Sequence, residues 1–110
     1  MTTLFKSKLI ASLGTTPTTA FTSSGTSTTT VIGLSFTNLT DSIVLASVQI
    51  NDTVANTSAY FIKNVILPPN QSLRVINGGE RLVMGPSTNL IVSSNTDASL
   101  DTVISYVEIS

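Results

Sequence analysis

Thr30-Val31-Ile32-Gly33-Leu34-Ser35-Phe36-Thr37-Asn38, followed by Leu39-Thr40-Asp41-Ser42 and then Ile43-Val44-Leu45-Ala46-Ser47-Val48-Gln49-Ile50, decides how this chain folds. The first run alternates, with Ile32, Leu34 and Phe36 on one face and Val31, Gly33, Ser35 and Thr37 on the other. A period of two belongs to a strand with one face against a core. Residues 38–42 then read as a turn, because Asn, Asp and Ser close hydrogen bonds to their own backbone. A second strand follows over 43–50, with Val44, Ala46, Val48 and Ile50 on its core face.

The same grammar extends both ways. Upstream, Phe5, Ser7, Leu9, Ala11 and Leu13 alternate with Lys6, Lys8, Ile10 and Ser12, so residues 1–13 read as an N-terminal strand or extended arm. Residues 14–110 read as a single sandwich domain, opened by a Gly/Ser/Thr-rich stretch with a short strand at 18–22. Downstream, Ala59 to Leu67 is nearly continuous in apolar content, as in a strand covered on both faces. Pro68-Pro69-Asn70 ends it, since proline cannot donate to a ladder. Strands at 73–76 and 81–84 are joined by Asn77-Gly78-Gly79-Glu80, which suits a tight hairpin with positive φ. Further strands are expected at 90–93 and 102–109.

Eight or nine short strands with a turn signal about every 8–12 residues, and no helical period, predict an all-β, antiparallel β-sandwich. A jelly roll is the specific form expected, with a small barrel as runner-up. Its expected core is Ile32, Leu34, Phe36, Val44, Val48, Ile50, Leu73, Val75, Leu82, Leu90, Val92, Val103 and Val107. Val31, Ile43, Leu45, Val83 and Ile91 fall on the opposite face. With Leu4, Phe5, Leu9 and Leu13 of the N-terminal segment they are the candidate interface residues. Packing of the segment from Met1 to Leu13 against a neighbour or its own sandwich is part of the same expectation.

Composition narrows the chemistry. Ser and Thr make up roughly a third of the 110 residues, and His, Cys and Trp are absent. Without His the chain lacks the side chain most used for proton transfer near neutral pH, and an activated Ser needs a base. Asp97 and Asp101 are the two carboxylates nearest in sequence, but a calcium site takes six to eight oxygens, and two turn aspartates fall short. Lys63 sits in an apolar strand, where its ammonium snorkels to the sheet rim. No catalytic residue, metal or cofactor is expected. Five scattered Lys and Arg and a net charge of −1 exclude a nucleic-acid surface, and no apolar run approaches the about 20 residues of a membrane span. Residues 6–13 only loosely imitate a signal peptide. Asn38, Asn51, Asn56 and Asn70 each open an N-glycosylation pattern, as expected by chance in so Ser/Thr/Asn-rich a chain.

Charged residues are only 10% of the chain, against about a quarter in ordinary soluble proteins. Charge keeps monomers apart, so so neutral a chain with positive mean hydropathy suits a component covered by neighbours. A homo-oligomer is expected, a trimer or larger ring.

The order of elements carries a resemblance. Thr18-Thr19-Ala20-Phe21-Thr22, the strand Thr30–Asn38, Tyr60-Phe61-Ile62-Lys63-Asn64-Val65, the turn Pro68-Pro69-Asn70-Gln71-Ser72-Leu73, Gly78-Gly79, Leu82-Val83-Met84 and the closing Val103-Ile104-Ser105-Tyr106-Val107-Glu108-Ile109 are its parts. Over residues 15–110 the chain resembles small β-sandwich virion proteins of tailed bacteriophages, found on heads, necks and tails. In that family the turn after the long strand usually reads Pro-Ala-Gly, and Pro69-Asn70-Gln71 departs from it. The resemblance implies a non-enzymatic, multi-copy role in the virion, foremost head decoration or cement, with a neck or tail accessory protein as rival. The implied partners are other virion proteins, such as the major capsid protein or neck and tail proteins. A receptor- or carbohydrate-binding module is the alternative from another class.

Overall fold

A computed structural model describes residues 3–26, 28–76 and 81–109. Nine strands run through them: β1 (Thr3–Leu13), β2 (Thr18–Thr22), β3 (Thr28–Asn38), β4 (Val44–Asp52), β5 (Thr57–Leu67), β6 (Ser72–Ile76), β7 (Leu82–Met84), β8 (Thr88–Ser94) and β9 (Leu100–Ile109). One sheet has the order β1-β9-β3-β6, with β7 also on β3; the other has the order β2-β8-β4-β5. All pairings are antiparallel.

The topology follows from one folding-back of the chain. At the β4–β5 turn the Asp52 carboxylate accepts the N–H groups of Val54 and Ala55, at 3.0 and 3.1 Å. Asn56 then takes the left-handed conformation that Asn tolerates. Outward from this turn the halves pair in reverse order: β4 with β5, β3 with β6 and β7, β2 with β8, β1 with β9. Rolling that long hairpin into two layers produces the observed strand orders, which are those of a jelly roll.

Between the layers, Val31, Leu34, Phe36, Leu100 and Ile104 of the first sheet meet Val44, Val48, Leu67, Leu90 and Val92 of the second, all buried. At one flank Phe21 stacks on Tyr106, with ring centroids 4.3 Å apart and planes 10° from parallel, tying β2 to β9 across the sandwich.

Several expectations are corrected, and β-bulges explain most of them. An extra residue at a bulge reverses which face later side chains occupy. The β3–β9 register shifts between Val31 and Gly33. Ile32 is the residue turned out, at 36% exposure, while Val31 is 0% exposed and belongs to the core. In β1 the register shifts between Ile10 and Leu13, with Ser12 at φ 55°. The Asp101 carboxylate accepts the Ser12 N–H at 3.0 Å and holds that bulge, so Leu13 turns inward, at 2% exposure. In β9 the inward residues are Leu100, Thr102, Ile104 and Tyr106, not Val103 and Val107. Both faces of that strand are apolar, so alternation does not choose between them.

Two further corrections concern pairing. β5 is an edge strand with exposed Tyr60, Phe61 and Ile66 rather than one covered on both faces. β6 and β7 both run antiparallel to β3 along the same side, so they follow one direction and do not form a hairpin with each other. Residues 77–80, on which the tight turn was placed, and Met1 lie outside the described residues.

Thr29 and Thr102 are buried, and neither hydroxyl finds a hydrogen-bond partner. A buried unpaired hydroxyl costs free energy that valine, of the same shape, does not incur. Thr102→Val is expected to raise stability by about 1 kcal/mol. Chemical denaturation checks this, and a lowered midpoint would contradict it.

Candidate assembly surfaces

The candidate interface residues divide among three places. Leu13 and Val31 are core residues, removed from the set by the bulges described above. Phe5, Leu9 and Val83 stand on the outer face of the β1-β9-β3-β6 sheet. Phe5 is paired with Val107 and Leu9 with Val103, so these four side chains share a face, and Phe5 is 79% exposed. Val83 pairs with Thr30, which is opposite Val107, and extends the patch across β3. Ile32, expelled by its bulge, adds to it. Leu4 points to the other side of β1 and is also exposed.

Ile43, Leu45 and Ile91 belong to the outer side of the second sheet. Leu45 pairs with Ile66, and Ile43, just before β4 and 60% exposed, has the parity of Leu45. Ile91 lies farther along, paired with Gln49. Thus the protein has an apolar patch on each outward face. Ile66 and Val103 complete these patches and were missed. Ile66 sits in a run whose continuous apolar content implies cover on both faces, and Val103 lies in a strand whose two faces are both apolar.

Polar residues at the strand ends serve the turns. The Ser23 hydroxyl donates to the Gly85 carbonyl at 2.6 Å and accepts the Thr88 N–H at 2.9 Å. Ser94 and Ser99 share a hydrogen bond of 2.6 Å, and Ser99 donates to the Thr96 carbonyl. Asn38, opening one glycosylation pattern, is buried and fully engaged in hydrogen bonds. Asp97 accepts from the Thr15 hydroxyl at 3.1 Å, and Asp101 is committed to Ser12. Among the described residues no three His, Cys, Asp or Glu come together as a metal-holding group. Lys63 reaches over the Tyr60 ring, 4.9 Å from its centroid, in a cation–π contact on the edge strand. The exposed rings of Phe5 and Tyr60 lie on different sheets and do not line one concave site.

The edges are guarded. β5 bulges on both sides of Ile62, the partner of Val48 in β4, with Asn64 at φ 52°. Bulges and lysines on edge strands oppose sideways addition of another strand. Lys6 and Lys8 do this on β1, where Lys6 also meets Glu108 at 3.5 Å, an exposed pair worth little in stability.

No family model matches the sequence, and no curated protein matches it. Among solved structures, a chain in the crystal structure of the T13 IBDV viral particle is similar over 96% of this protein and 30% of that chain, with a TM-score of 0.55 and 12% identity. A chain in the structure of the infectious bursal disease virus Gt strain is similar over 98% of this protein and 30% of its own length, with a TM-score of 0.49 and 13% identity. The protein thus spans about 30% of the length of each, and the likeness to the first shows a shared fold.

Proposed function

We propose that this protein is a non-enzymatic structural component of a virus particle, a head decoration or cement protein of a tailed phage that works in several copies on a shell of other virion proteins. The observation that carries the reading is a charge-poor jelly roll with apolar patches on both outward faces. A lone monomer gains nothing from wetting Phe5, Leu9, Val103 and Val83 on one face and Ile43 and Ile66 on the other. Between neighbours the same side chains contribute about 25 cal/mol for each Å² of apolar surface removed from water. The guarded edges at β1 and β5 favour faces and loop ends as the means of contact. The fold shared with a chain of a viral particle is in keeping with this role.

Quantitative mass spectrometry of purified virions tests it. Expected is a copy number tied to the symmetry of the shell; absence from the particle overturns the reading. Phe5→Ser and Leu9→Ser should change unfolding free energy by no more than about 0.5 kcal/mol, because both side chains are exposed. Occupancy on the particle should nevertheless fall. Unchanged occupancy would place the contact elsewhere.

A further inference from the structure

Charge is unevenly placed on the molecule. The loops joining β1 to β2, β3 to β4, β5 to β6 and β8 to β9 gather at one end, cross-linked by hydrogen bonds such as Asn70 N–H to the Thr40 carbonyl and Ser94 N–H to the Gly14 carbonyl. That end holds Asp41, Asp97 and Asp101 and no lysine or arginine. Asp41 accepts a hydrogen bond from Asn70 Nδ2 on one oxygen, and Asp97 accepts one from the Thr15 hydroxyl. Beside them stand exposed Leu39 and Ile43.

The outer face of the β1-β9-β3-β6 sheet has the opposite character. Arg74 lies at one side of the face, opposite Ser35, and lines a shallow depression with Ile32 and Val103; Arg81 lines the adjoining depression with Ile32 and Phe5. Neither arginine forms an ion pair with a described residue. Two cations on an otherwise apolar face favour a partner surface that carries carboxylates over one that carries none.

We propose that copies of this chain join head to tail, the acidic loop end of one copy, with Asp41, Asp97, Leu39 and Ile43, seating on the Arg74–Arg81 side of the outer sheet face of the next. The inference rests on the multi-copy role proposed above and assigns its contact. Apolar groups meet apolar groups at Ile32, and the arginines find carboxylates. The molecule measures 46 × 28 × 21 Å, so its end is 28 × 21 Å. Such an end covers about 500 Å² per partner, below the about 800 Å² of a stable standard interface. One contact is therefore weak. In a closed ring every copy uses both its end and its face, and a heterologous contact closes into a ring when its rotation permits.

Sedimentation of the purified full chain, with two charge-reversed variants, tests this. The wild type is expected to form a discrete oligomer whose association weakens at least about tenfold on raising salt to ~0.5 M, where the Debye length is only a few Å. Arg74→Glu/Arg81→Glu and Asp41→Arg/Asp97→Arg should each sediment as folded monomers, with far-UV circular dichroism like the wild type. Mixing them should restore oligomers, since the reversed face then meets the reversed end and the native face meets the native end. A wild type that stays monomeric, or oligomers untouched by either reversal, or a mixture that stays monomeric, overturns the proposal. A monomer in solution leaves the virion role standing, because that role is read from the particle itself.

Discussion

Asn38→Ala is expected to destabilise the protein by about 3–5 kcal/mol, because a buried polar group that loses its partner leaves several others unmet. Asn38 is 1% exposed at the end of β3. Its side-chain amide donates to the carbonyls of Ser42, Leu67 and Pro68 at 2.9, 3.2 and 3.1 Å. Its carbonyl oxygen accepts the Thr40 N–H at 2.9 Å and the Thr40 hydroxyl at 2.8 Å. One side chain therefore joins the β3–β4 turn to the end of β5, and so one sheet to the other. Alanine would leave the buried Leu67 carbonyl unpaired, would strip the part-buried Ser42 and Pro68 carbonyls and the Thr40 N–H of this partner, and would open a small void besides. Equilibrium denaturation measures the loss; a cost below about 1 kcal/mol would mean that water replaces these bonds freely. The same substitution should loosen the acidic loop end, seen as faster amide exchange over residues 39–42 and at Asn70 and Gln71.

Phe36→Ala should cost about 3–5 kcal/mol, the usual range for emptying a buried phenylalanine site. Phe36 is the largest of the fully buried side chains. It extends from the central part of the first sheet, between β9 and β6, where it pairs with Thr102 and Leu73. Neighbours on both sides are fixed by ladder hydrogen bonds, so the site cannot collapse far, and the cavity term adds to the lost transfer energy. Phe36→Leu retains most of the apolar volume and should cost less than half as much. A loss below about 1 kcal/mol for the alanine variant would contradict the observed register. Ile32→Ser, four residues away on the exposed side of the bulge, should be far milder than either.

That contrast between Ile32 and Phe36 marks what could be read in advance. Strand β2 runs over Thr18–Thr22, the limits its residues suggest, and β3 and β4 carry the turn between them where Asn38–Ser42 place it. Leu34, Phe36, Val44, Val48, Leu90 and Val92 lie in the core as their alternation implies. These features depend on neighbours within a few residues. The parity of Val31 and Ile32 does not. Both are β-branched and apolar, either could face inward, and the bulge that chooses between them is set by pairing with β9, about seventy positions away.

The candidate surfaces divide in the same way. Phe5, Leu9, Ile43, Leu45, Val83 and Ile91 turn outward, whereas Leu13 was reversed by a bulge whose stabilising carboxylate, Asp101, comes from the far end of the chain. The exposure of β5 depended on which strand lay at the sheet edge. No local pattern carries that information, because an apolar run reads alike in a central strand and at an edge.

By itself, then, the sequence determined an all-β chain of short strands and tight turns, without imidazole or thiol chemistry and with only 10% charged residues. Periodicity and composition suffice for that, since they act through local sterics and the hydrophobic effect. Only the tertiary structure decided which face of each strand is core, which strands are edges, and that Asp41, Asp97 and Asp101 gather at one end while two arginines share a sheet face. Those properties arise from pairings between distant halves of the chain. A one-residue bulge shifts them, and its hydrogen-bond partner exists only after the sandwich has closed.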